Sequence, residues 1–504
     1  MLRFEPFSFD ALKRVLPYIK SNTSLNSDIS AGGIFMWQEG YDVQFCVWND
    51  TFIMRENIGE QPAFSWPVGA DVDGMINELI EYVRANNLAL RFCEIDDNTL
   101  KIISTDLRLK PMMSECDERW SDYIYSFEEA RTFKGNKYKG QRNHINKFKR
   151  LYGEPIIRFL NKDDMPKIRA FLDEYQKSHK DAEYFEKLEF EQTRKLLEIY
   201  SDLGLYAACL EIDGDIAAFT IGEVVNDMLI IHIEKALTKY DGVYPTMYNG
   251  FVNLICEHSG RPLNLINRED DSGDEGLRIS KMQYHPVGRV NKYLVHINSP
   301  ASKLDKIPVI DSKGIVLTEF RESDKKAYLE LNTDIYNNRY WGYDYSQDED
   351  ILGKIDENTF YDFTMQDMRA GDSINFVVRE SVFGEMIGEA ILWNFTYGGS
   401  AEIGCRLFPS FQGKGLGKAA FKVLTDFAEK TLNLKPVARC YIENTVSYRM
   451  IKACGFDECG KDNKYFYFKR NTDYRISKEL FDDASEVVHD RVKLSEIKSI
   501  GAKK

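Results

Sequence analysis

The part of this sequence best suited to chemistry is a turn with three glycines at alternate positions, Gln412-Gly413-Lys414-Gly415-Leu416-Gly417. The residues before it, 401–407, predict a strand, and the residues from Lys418 to Lys430 predict a helix. Glycines in such a turn let backbone N–H groups converge on an anion, and the N-terminus of the following helix adds a favourable dipole. This glycine loop, residues 412–418, therefore predicts a pyrophosphate site.

Two well-known nucleotide-binding loops do not fit these residues. A Walker A loop requires Ser or Thr after its Lys, whereas Ala419 follows Lys418 here. A dinucleotide-binding fold uses G-x-G-x-x-G near the start of its domain, whereas this loop has G-x-G-x-G and comes late. A tight glycine turn without a ligand is the remaining alternative.

The glycine loop resembles the Q/R-x-x-G-x-G/A loop of the GNAT superfamily of N-acetyltransferases. Downstream, Asn444, Ser447 and Gly455-Phe456 are similar to the second coenzyme motif of that superfamily. The preceding Glu402-Ile403-Gly404 is similar to the E-I-G of its ribosomal-protein N-terminal acetyltransferase branch, and the resemblance covers about residues 316–468. It implies acetyl-CoA as co-substrate. The coenzyme contacts that it implies are Cys405, Leu407, Gln412, Gly413, Lys414, Gly415, Leu416, Gly417, Lys418 and Asn444.

The same resemblance implies direct attack of an amine on a thioester whose carbonyl is polarised by a backbone N–H. Glu402 is the candidate general base, and an ion-paired strand carboxylate is the alternative. The tyrosine that serves as acid in the family falls at Ile451 here. Tyr448 or Ser447 is therefore the candidate acid, and a core or capping role is the alternative for each.

An aromatic segment, Asn338–Tyr345, precedes these motifs and carries four aromatic side chains around a short polar turn. Tyr340, Trp341 and Tyr343 are predicted either to wall an acceptor cleft or to form an interdomain packing patch.

A basic run lies between Arg131 and Arg150, with eight Lys or Arg residues and no carboxylate in a chain of formal charge −14. Tyr138, His144 and Phe148 are interleaved, a pattern typical of sites that track a phosphate backbone. The run predicts contact with tRNA, and a solvated helix paired with acidic neighbours is the alternative.

Further motifs between residues 232 and 286 resemble the soluble C-terminal domain of phosphatidylglycerol lysyltransferases. They are His232–Ala236, Gly242–Tyr244, Asn267–Asp271, Gly276–Arg278 and Lys281–Pro286, with Gly140–Asn143 upstream. The resemblance, over about 30–293, implies two acetyltransferase-like folds in tandem and transfer of an amino acid from aminoacyl-tRNA. The substrate-binding residues that it implies are Arg142, His232, Glu234, Asn267, Arg268, Asp271, Arg278 and Lys281. Ordinary ion pairs or loop caps are the alternative for these side chains.

The elements that must position these residues alternate between strand and helix, so we expect an α/β (α+β) fold. We expect three GNAT-like modules, each a mixed central sheet flanked by helices, two in tandem N-terminally and one C-terminal. The predicted boundaries are 1–150, 151–298, a linker at 299–314, an acetyltransferase domain at 315–472, and an amphipathic C-terminal helix or tail at 473–504.

Composition narrows the class of protein. The nine cysteines form no C-x-x-C pair and no metal-ligand spacing occurs, so we expect no metal and a reducing, cytoplasmic location. No apolar run is long enough for a membrane helix, which predicts no integral membrane association and disfavours a lipid acceptor.

The leading hypothesis is an N-acetyltransferase that acts on an amine of a small molecule, peptide or protein N-terminus through its C-terminal domain. The first alternative is an aminoacyl-tRNA-dependent transferase carried by the N-terminal modules. The second is a non-catalytic module that senses acyl-CoA or tRNA.

Overall fold

A computed structural model describes residues 2–58, 61–109, 112–177, 184–312, 314–341 and 355–470. These residues form three mixed sheets flanked by helices, which confirms the expected fold class. Each sheet defines one unit of the chain. Tyr343 and the expected C-terminal helix at 473–504 lie outside the described residues.

The first unit is built on a sheet with the order β1-β2-β3-β4-β6-β15-β7, and β5 pairs with β3. Its strands are β1 (Glu5–Pro6), β2 (Gln44–Trp48), β3 (Thr51–Ile58), β4 (Gln61–Phe64), β5 (Val68–Gly69), β6 (Leu90–Ile95), β7 (Met112–Cys116) and β15 (Tyr293–Ile297). Its helices are α1 (Phe9–Ser21), α2 (Ala31–Trp37), α3 (Val72–Ala85) and α4 (Asp97–Thr105). The β2–β3 hairpin turns at Asn49-Asp50, where both residues have positive φ, as a two-residue hairpin turn requires.

The second unit has the strand order β14-β8-β13-β12-β11-β10-β9. Its strands are β8 (Asp122–Ser126), β9 (Ile156–Phe159), β10 (Tyr206–Ile212), β11 (Asp215–Val225), β12 (Met228–Ala236), β13 (Leu265–Asn267) and β14 (Gly288–Val290). Its helices are α5 (Phe127–Thr132), α6 (Lys139–Tyr152), α7 (Met165–Lys177), α8 (Tyr184–Ile199), α9 (Val243–His258) and α10 (Glu275–Met282).

The third unit has the strand order β16-β17-β18-β19-β20-β21-β23-β22. Its strands are β16 (Ile310–Ser312), β17 (Ile315–Thr318), β18 (Ser373–Arg379), β19 (Gly388–Trp393), β20 (Ser400–Leu407), β21 (Lys435–Tyr441), β22 (Phe456–Lys461) and β23 (Tyr465–Arg470). Its helices are α11 (Lys325–Thr333), α12 (Ile335–Asn338), α13 (Thr359–Ala370), α14 (Leu416–Lys430) and α15 (Thr445–Ala453).

The change from the first sheet to the second falls between β7 and β8, not at the expected residue 150. The basic helix α6 packs against α9 of the second unit, and the late strand β15 inserts between β6 and β7 of the first. Val295 and Ile297 are buried on one face of β15 and His296 on the other, as is typical of an inner strand. The expected linker at 299–314 also contributes β16 to the third sheet.

One parallel strand pair occurs in each sheet, and a helix connects its two strands. The pairs are β4 with β6, β12 with β13, and β20 with β21, joined across α3, α9 and α14 respectively. The recurrence places one helix N-terminus in the same position of each unit. No helix in the described part of the chain combines the length and the apolar character needed to cross a membrane.

Candidate functional site

The parallel strands β20 and β21 of the third unit pair over three residues and then separate. We call the gap between them the opening. Pairing runs from Ser400 with Lys435 to Glu402 with Val437, whereas β20 continues to Leu407 and β21 to Tyr441. Within the described residues no strand pairs with β20 on this side beyond Glu402. The opening leaves backbone groups of β20 available to a ligand that lies along the strand.

The glycine loop lies between β20 and α14. Gly413 and Gly415 have φ of +72° and +80°, and Gly415 caps α14 without a side-chain hydrogen bond. Among the described residues, a Cβ atom at either glycine would meet no atom within 4 Å. The exposed loop therefore leaves space beside the N-terminus of a fifteen-residue helix, whose first N–H groups lack intrahelical partners, and such a place suits a phosphate group.

Neighbouring side chains fix the loop against the strand. Gln412 donates from Nε2 to the Leu407 carbonyl and to Asn337 Oδ1, each at 2.9 Å. Cys405 lies 3.4 Å from the Gly417 carbonyl, and burial raises the pKa of its thiol to about 12. These predicted coenzyme residues thus lie together, with the exposed Lys414 and Lys418 on the solvent side.

Asn444 and Ser447 lie at the start of α15, which contacts α14. Asn444 Oδ1 accepts from the Ser447 backbone N–H at 3.1 Å, so the two form a helix cap. This contact matches the capping alternative for Ser447.

The corresponding helix N-termini of the other two units are closed. In the first unit, the Asp71 carboxylate caps α3 by accepting from the Gly74 N–H at 2.9 Å. In the second, a Cβ at Gly242, the N-cap of α9, would lie 2.3 Å from the His144 carbonyl of α6. A carboxylate and a helix backbone occupy the two positions where the third unit has open space.

Glu402 does not present a free carboxylate to the opening. It is buried, 5% exposed, and its Oε1 accepts from Arg439 Nε at 2.9 Å. A charge-assisted bond therefore occupies the carboxylate that a general base would use. The arrangement matches the ion-paired alternative.

The Tyr448 side chain points away from the opening, which matches the core alternative for this residue. Its hydroxyl donates to Glu458 Oε2 at 2.7 Å, and this bond raises the pKa of Tyr448. Glu458 lies on β22, three strands from β20 and thus about 14 Å away at ordinary strand spacing. The ring packs against Phe466 and Phe468, because the turn of α15 that carries it faces β23.

Two residues of the aromatic segment that the structure describes, Tyr340 and Trp341, contact the separated strands. The Tyr340 ring lies 5.6 Å from that of Tyr441 on β21, and Trp341 stacks 4.4 Å from the Arg406 guanidinium of β20. A Cβ at Gly404 would lie 2.9 Å from the Trp393 ring and at contact distance, 3.5 Å, from Trp341, so the glycine makes room for Trp393 with Trp341 beside it. Both aromatic residues can therefore contact a group that enters between the strands.

In the second unit, a charged network fills the opening between β12 and β13. Arg268 pairs with Glu234 at 2.7 Å, and its guanidinium carbon lies 4.4 Å from Tyr248 and 4.6 Å from Tyr284. Because Glu234 lies on β12 beyond its ladder with β13, this ion pair bridges the separated strands. Glu234 and Arg268, both predicted from the sequence to bind substrate, are thus ion-paired with each other.

His232 forms a second bridge. Its Nδ1 lies 2.7 Å from Glu269 and its Nε2 lies 2.9 Å from Glu223. Burial lowers the pKa of His232, but the two carboxylates outweigh burial and raise it to about 10. The Gly32 N–H donates to the same Glu223 oxygen at 2.8 Å, which ties the first unit to this pair.

The loop after β13 holds the other predicted residues. Asp271 is fully buried and accepts from Arg278 Nε at 2.9 Å and from the Tyr123 hydroxyl at 2.5 Å. Burial alone would raise the pKa of Asp271, but these bonds lower it. Lys281 donates to the Arg268 carbonyl at 2.6 Å, and burial lowers its pKa.

Asn267 leads to residues that sequence reasoning missed. Its Nδ2 donates to Asp122 at 2.7 Å, and Asp122 pairs with the buried Lys292 at 2.8 Å. Lys292 also lies 2.5 Å from Asp28. These residues are isolated in the sequence, so no spacing could have identified the cluster.

Arg142 has different partners. Its guanidinium donates to the carbonyls of Phe133 and Gly135 and so fixes the turn before α6.

The basic run is partly neutralised by carboxylates outside it. Its ion-paired members are Arg131 with Glu128, Lys137 with Glu129, Lys147 with Asp241, and Lys149 with Glu154. Lys134, Lys139 and Arg150 are exposed and have no ion pair within 4 Å in the part of the chain that the structure describes. Pairing with acidic neighbours, the alternative to tRNA contact, thus accounts for four of the eight cations in the basic run.

Comparisons with known proteins divide the chain in the same way. A family model for the C-terminal domain of phosphatidylglycerol lysyltransferase matches residues 22–296, and one for the GNAT acetyltransferase domain matches residues 315–457. A conserved protein of unknown function from Bacteroides thetaiotaomicron is 29% identical, with a TM-score of 0.55. This likeness covers 59% of our chain and 100% of that structure.

Two curated relatives are more distant. An uncharacterised protein of Mycoplasmoides gallisepticum is 24% identical over 181 residues, 36% of this chain, and the chain spans 57% of that relative's length. The uncharacterised N-acetyltransferase YnaD of Bacillus subtilis is 26% identical over 156 residues, 29% of this chain and 81% of YnaD. Because one family model covers more than half of the residues, the chain belongs to the phosphatidylglycerol lysyltransferase C-terminal domain family, and it carries a GNAT acetyltransferase domain after that region.

Proposed function

We propose that the third unit transfers an acetyl group from acetyl-CoA to an amine of a small molecule, a peptide or a protein N-terminus. The open glycine loop beside the separated strands β20 and β21 carries this proposal. No described side chain comes within 4 Å of a Cβ placed at Gly413 or Gly415, which supports space for a pyrophosphate there. The match to a GNAT family model supports the same assignment.

The residues of this chain then have distinct tasks. The N-terminus of α14 binds the phosphates, and the free edge of β20 orients the chain that carries the thioester and offers an N–H to its carbonyl. Tyr340 and Trp341 exclude water and align the incoming amine. Since Glu402 is paired with Arg439, the amine loses its proton to solvent and attacks the thioester carbonyl directly. The carbon–sulfur bond then breaks, and the coenzyme leaves as a thiolate that takes a proton from solvent.

Calorimetry with the full chain tests the coenzyme site. We expect acetyl-CoA to bind at one molecule per chain, because the equivalent helix N-termini of the first two units are closed. Absence of binding, or two sites per chain, would refute this proposal.

Transfer is tested by incubation with labelled acetyl-CoA and a panel of amines, peptides and proteins. Label in an acceptor supports catalysis. Binding without transfer to any acceptor would favour the sensing alternative.

A second candidate function is aminoacyl transfer from tRNA by the first two units. Family membership favours it, as do the three exposed cations of the basic run that have no ion pair among the described residues. The charged residues around β13, among them Lys281 in the following loop and Lys292 beside Asp122 and Asp28, would hold the aminoacyl group. Incubation with tRNA charged with labelled amino acids tests this function, and retention of all label on tRNA would count against it.

A further inference from the structure

The hairpin turn that leads into β20 docks on the first unit. The backbone N–H of Tyr397 donates to the Leu88 carbonyl at 2.8 Å, and Gln61 Nε2 donates to Asn394 Oδ1 at 2.6 Å. The Tyr397 ring also packs beside the hydrophobic core of the first unit. The third unit is therefore attached to the first through the strand that forms its coenzyme site.

Three side chains close a hydrogen-bonded ring across this junction. Thr396 donates to Asn87 Oδ1 at 3.2 Å, Asn87 Nδ2 donates to Ser400 Oγ at 3.5 Å, and Ser400 Oγ lies 2.8 Å from the Thr396 hydroxyl. All three bonds form at once when the Thr396 hydroxyl donates to the Asn87 oxygen, the Asn87 amide nitrogen donates to Ser400, and the Ser400 hydroxyl donates back to Thr396. Ser400 is buried, 4% exposed, so water does not readily replace these bonds.

The same turn sets the point at which the coenzyme opening begins. Lys435 N donates to the Gly399 carbonyl at 2.8 Å, and Ser400 is the first residue of β20 paired with β21. Only the three pairs that start at Ser400 separate this turn from the opening. A displacement of the turn would therefore alter the separation of β20 and β21.

We propose that Asn87, a residue of the first unit, is a positioning residue for the coenzyme site of the third. Through Thr396 and Ser400 it holds the closed end of the opening, and so fixes the direction in which β20 leaves the ladder. The N-terminal region thereby acts on the acyl-CoA site without touching it. This inference rests on the proposed coenzyme function.

Asn87→Gly tests the proposal, because Asn87 has φ of +52° and glycine retains that backbone conformation without strain. Thr396→Val removes the same ring from the other side with little change of shape, together with the 3.1 Å bond from the Ser400 N–H to the Thr396 hydroxyl. The matched control is Gln366→Ala, which removes a 3.2 Å bond to Glu115 at another point of the same junction.

Two measurements separate positioning from general stability. In the absence of coenzyme, hydrogen exchange of a peptide that covers β20 should be several-fold faster in Asn87→Gly than in wild type or the control. The Kd and KM for acetyl-CoA should rise about fivefold, as for the loss of one buried hydrogen bond, with kcat little changed. The double variant Asn87→Gly with Thr396→Val should bind acetyl-CoA no more weakly than the weaker-binding of the two single variants.

Equal exchange in Asn87→Gly and Gln366→Ala, or additive effects in the double variant, would overturn the proposal. If wild type binds no acetyl-CoA, the proposed function fails, and the exchange measurement still decides whether Asn87 positions β20.

Discussion

Aspartate in place of Gly415 should abolish coenzyme binding while leaving the fold intact. A Cβ at this position meets no neighbour within 4 Å among the described residues, so the aspartate side chain has space. The φ of +80° strains any residue other than glycine, and aspartate tolerates it better than most. Its charge near the helix N-terminus interacts favourably with the helix dipole, which offsets part of that strain. The same carboxylate would lie beside the pyrophosphate. Like charges about 4 Å apart at an effective dielectric of ~20 repel by about 4 kcal/mol, or about a thousandfold in Kd.

Gly415→Asn is the matched control, because asparagine has the same size, caps as well and tolerates positive φ. We expect Gly415→Asn to bind acetyl-CoA moderately more weakly than wild type, and Gly415→Asp to bind far more weakly still. Because the loop is exposed, added salt should narrow the difference between the two variants. Calorimetry at two salt concentrations measures both effects. Equal affinity of the Asp and Asn variants would refute the phosphate assignment of the loop.

Three further predictions concern the charged residues. Glu402→Gln should lower the melting temperature but leave the pH profile of turnover unchanged, because the carboxylate is bound to Arg439. A loss of turnover of ~10²-fold together with an altered pH profile would identify Glu402 as the base. The carboxylates of Glu223 and Glu269 raise the pKa of His232 from 6.5 to about 10. These ion pairs therefore stabilise the fold fully below pH 6.5, and this stabilisation is lost progressively as the pH rises to 10. His232→Gln should therefore flatten the unfolding free energy between pH 7 and 10, and an unchanged slope would contradict the ion pairs. For tRNA binding, alanine at Lys134, Lys139 and Arg150 together should reduce the slope of log affinity against log salt by about two to three. Alanine at the ion-paired members of the basic run should reduce that slope by less. Equal slopes for wild type and the triple variant would exclude a phosphate contact.

Local patterns predicted the features that depend on local backbone chemistry. The glycine loop was predicted because its glycines and the following apolar spacing lie within a short segment, and Gly413 and Gly415 do adopt positive φ. The β2–β3 hairpin depends on local residues in the same way, since Asn49-Asp50 specifies its own turn.

Features that depend on distant partners could not be predicted in this way. Glu402 and Arg439 are ion-paired only because their strands are adjacent in the sheet. The direction of Tyr448 depends on which strand α15 packs against, and helical spacing alone does not give that. The entry of β15 into the first sheet likewise depends on a pairing with residues almost two hundred positions earlier.

The three units show why one fold need not have one function. Each has a parallel strand pair and a connecting helix whose N-terminus could bind an anion. Asp71 places a negative charge there in the first unit, and α6 covers Gly242 in the second, where ion pairs such as Arg268–Glu234 also bridge the opening. At Gly415 the third unit has neither obstacle. Under the proposed assignment, the group that occupies the N-cap therefore distinguishes a coenzyme site from a structural helix terminus in this chain, and the fold alone does not decide it.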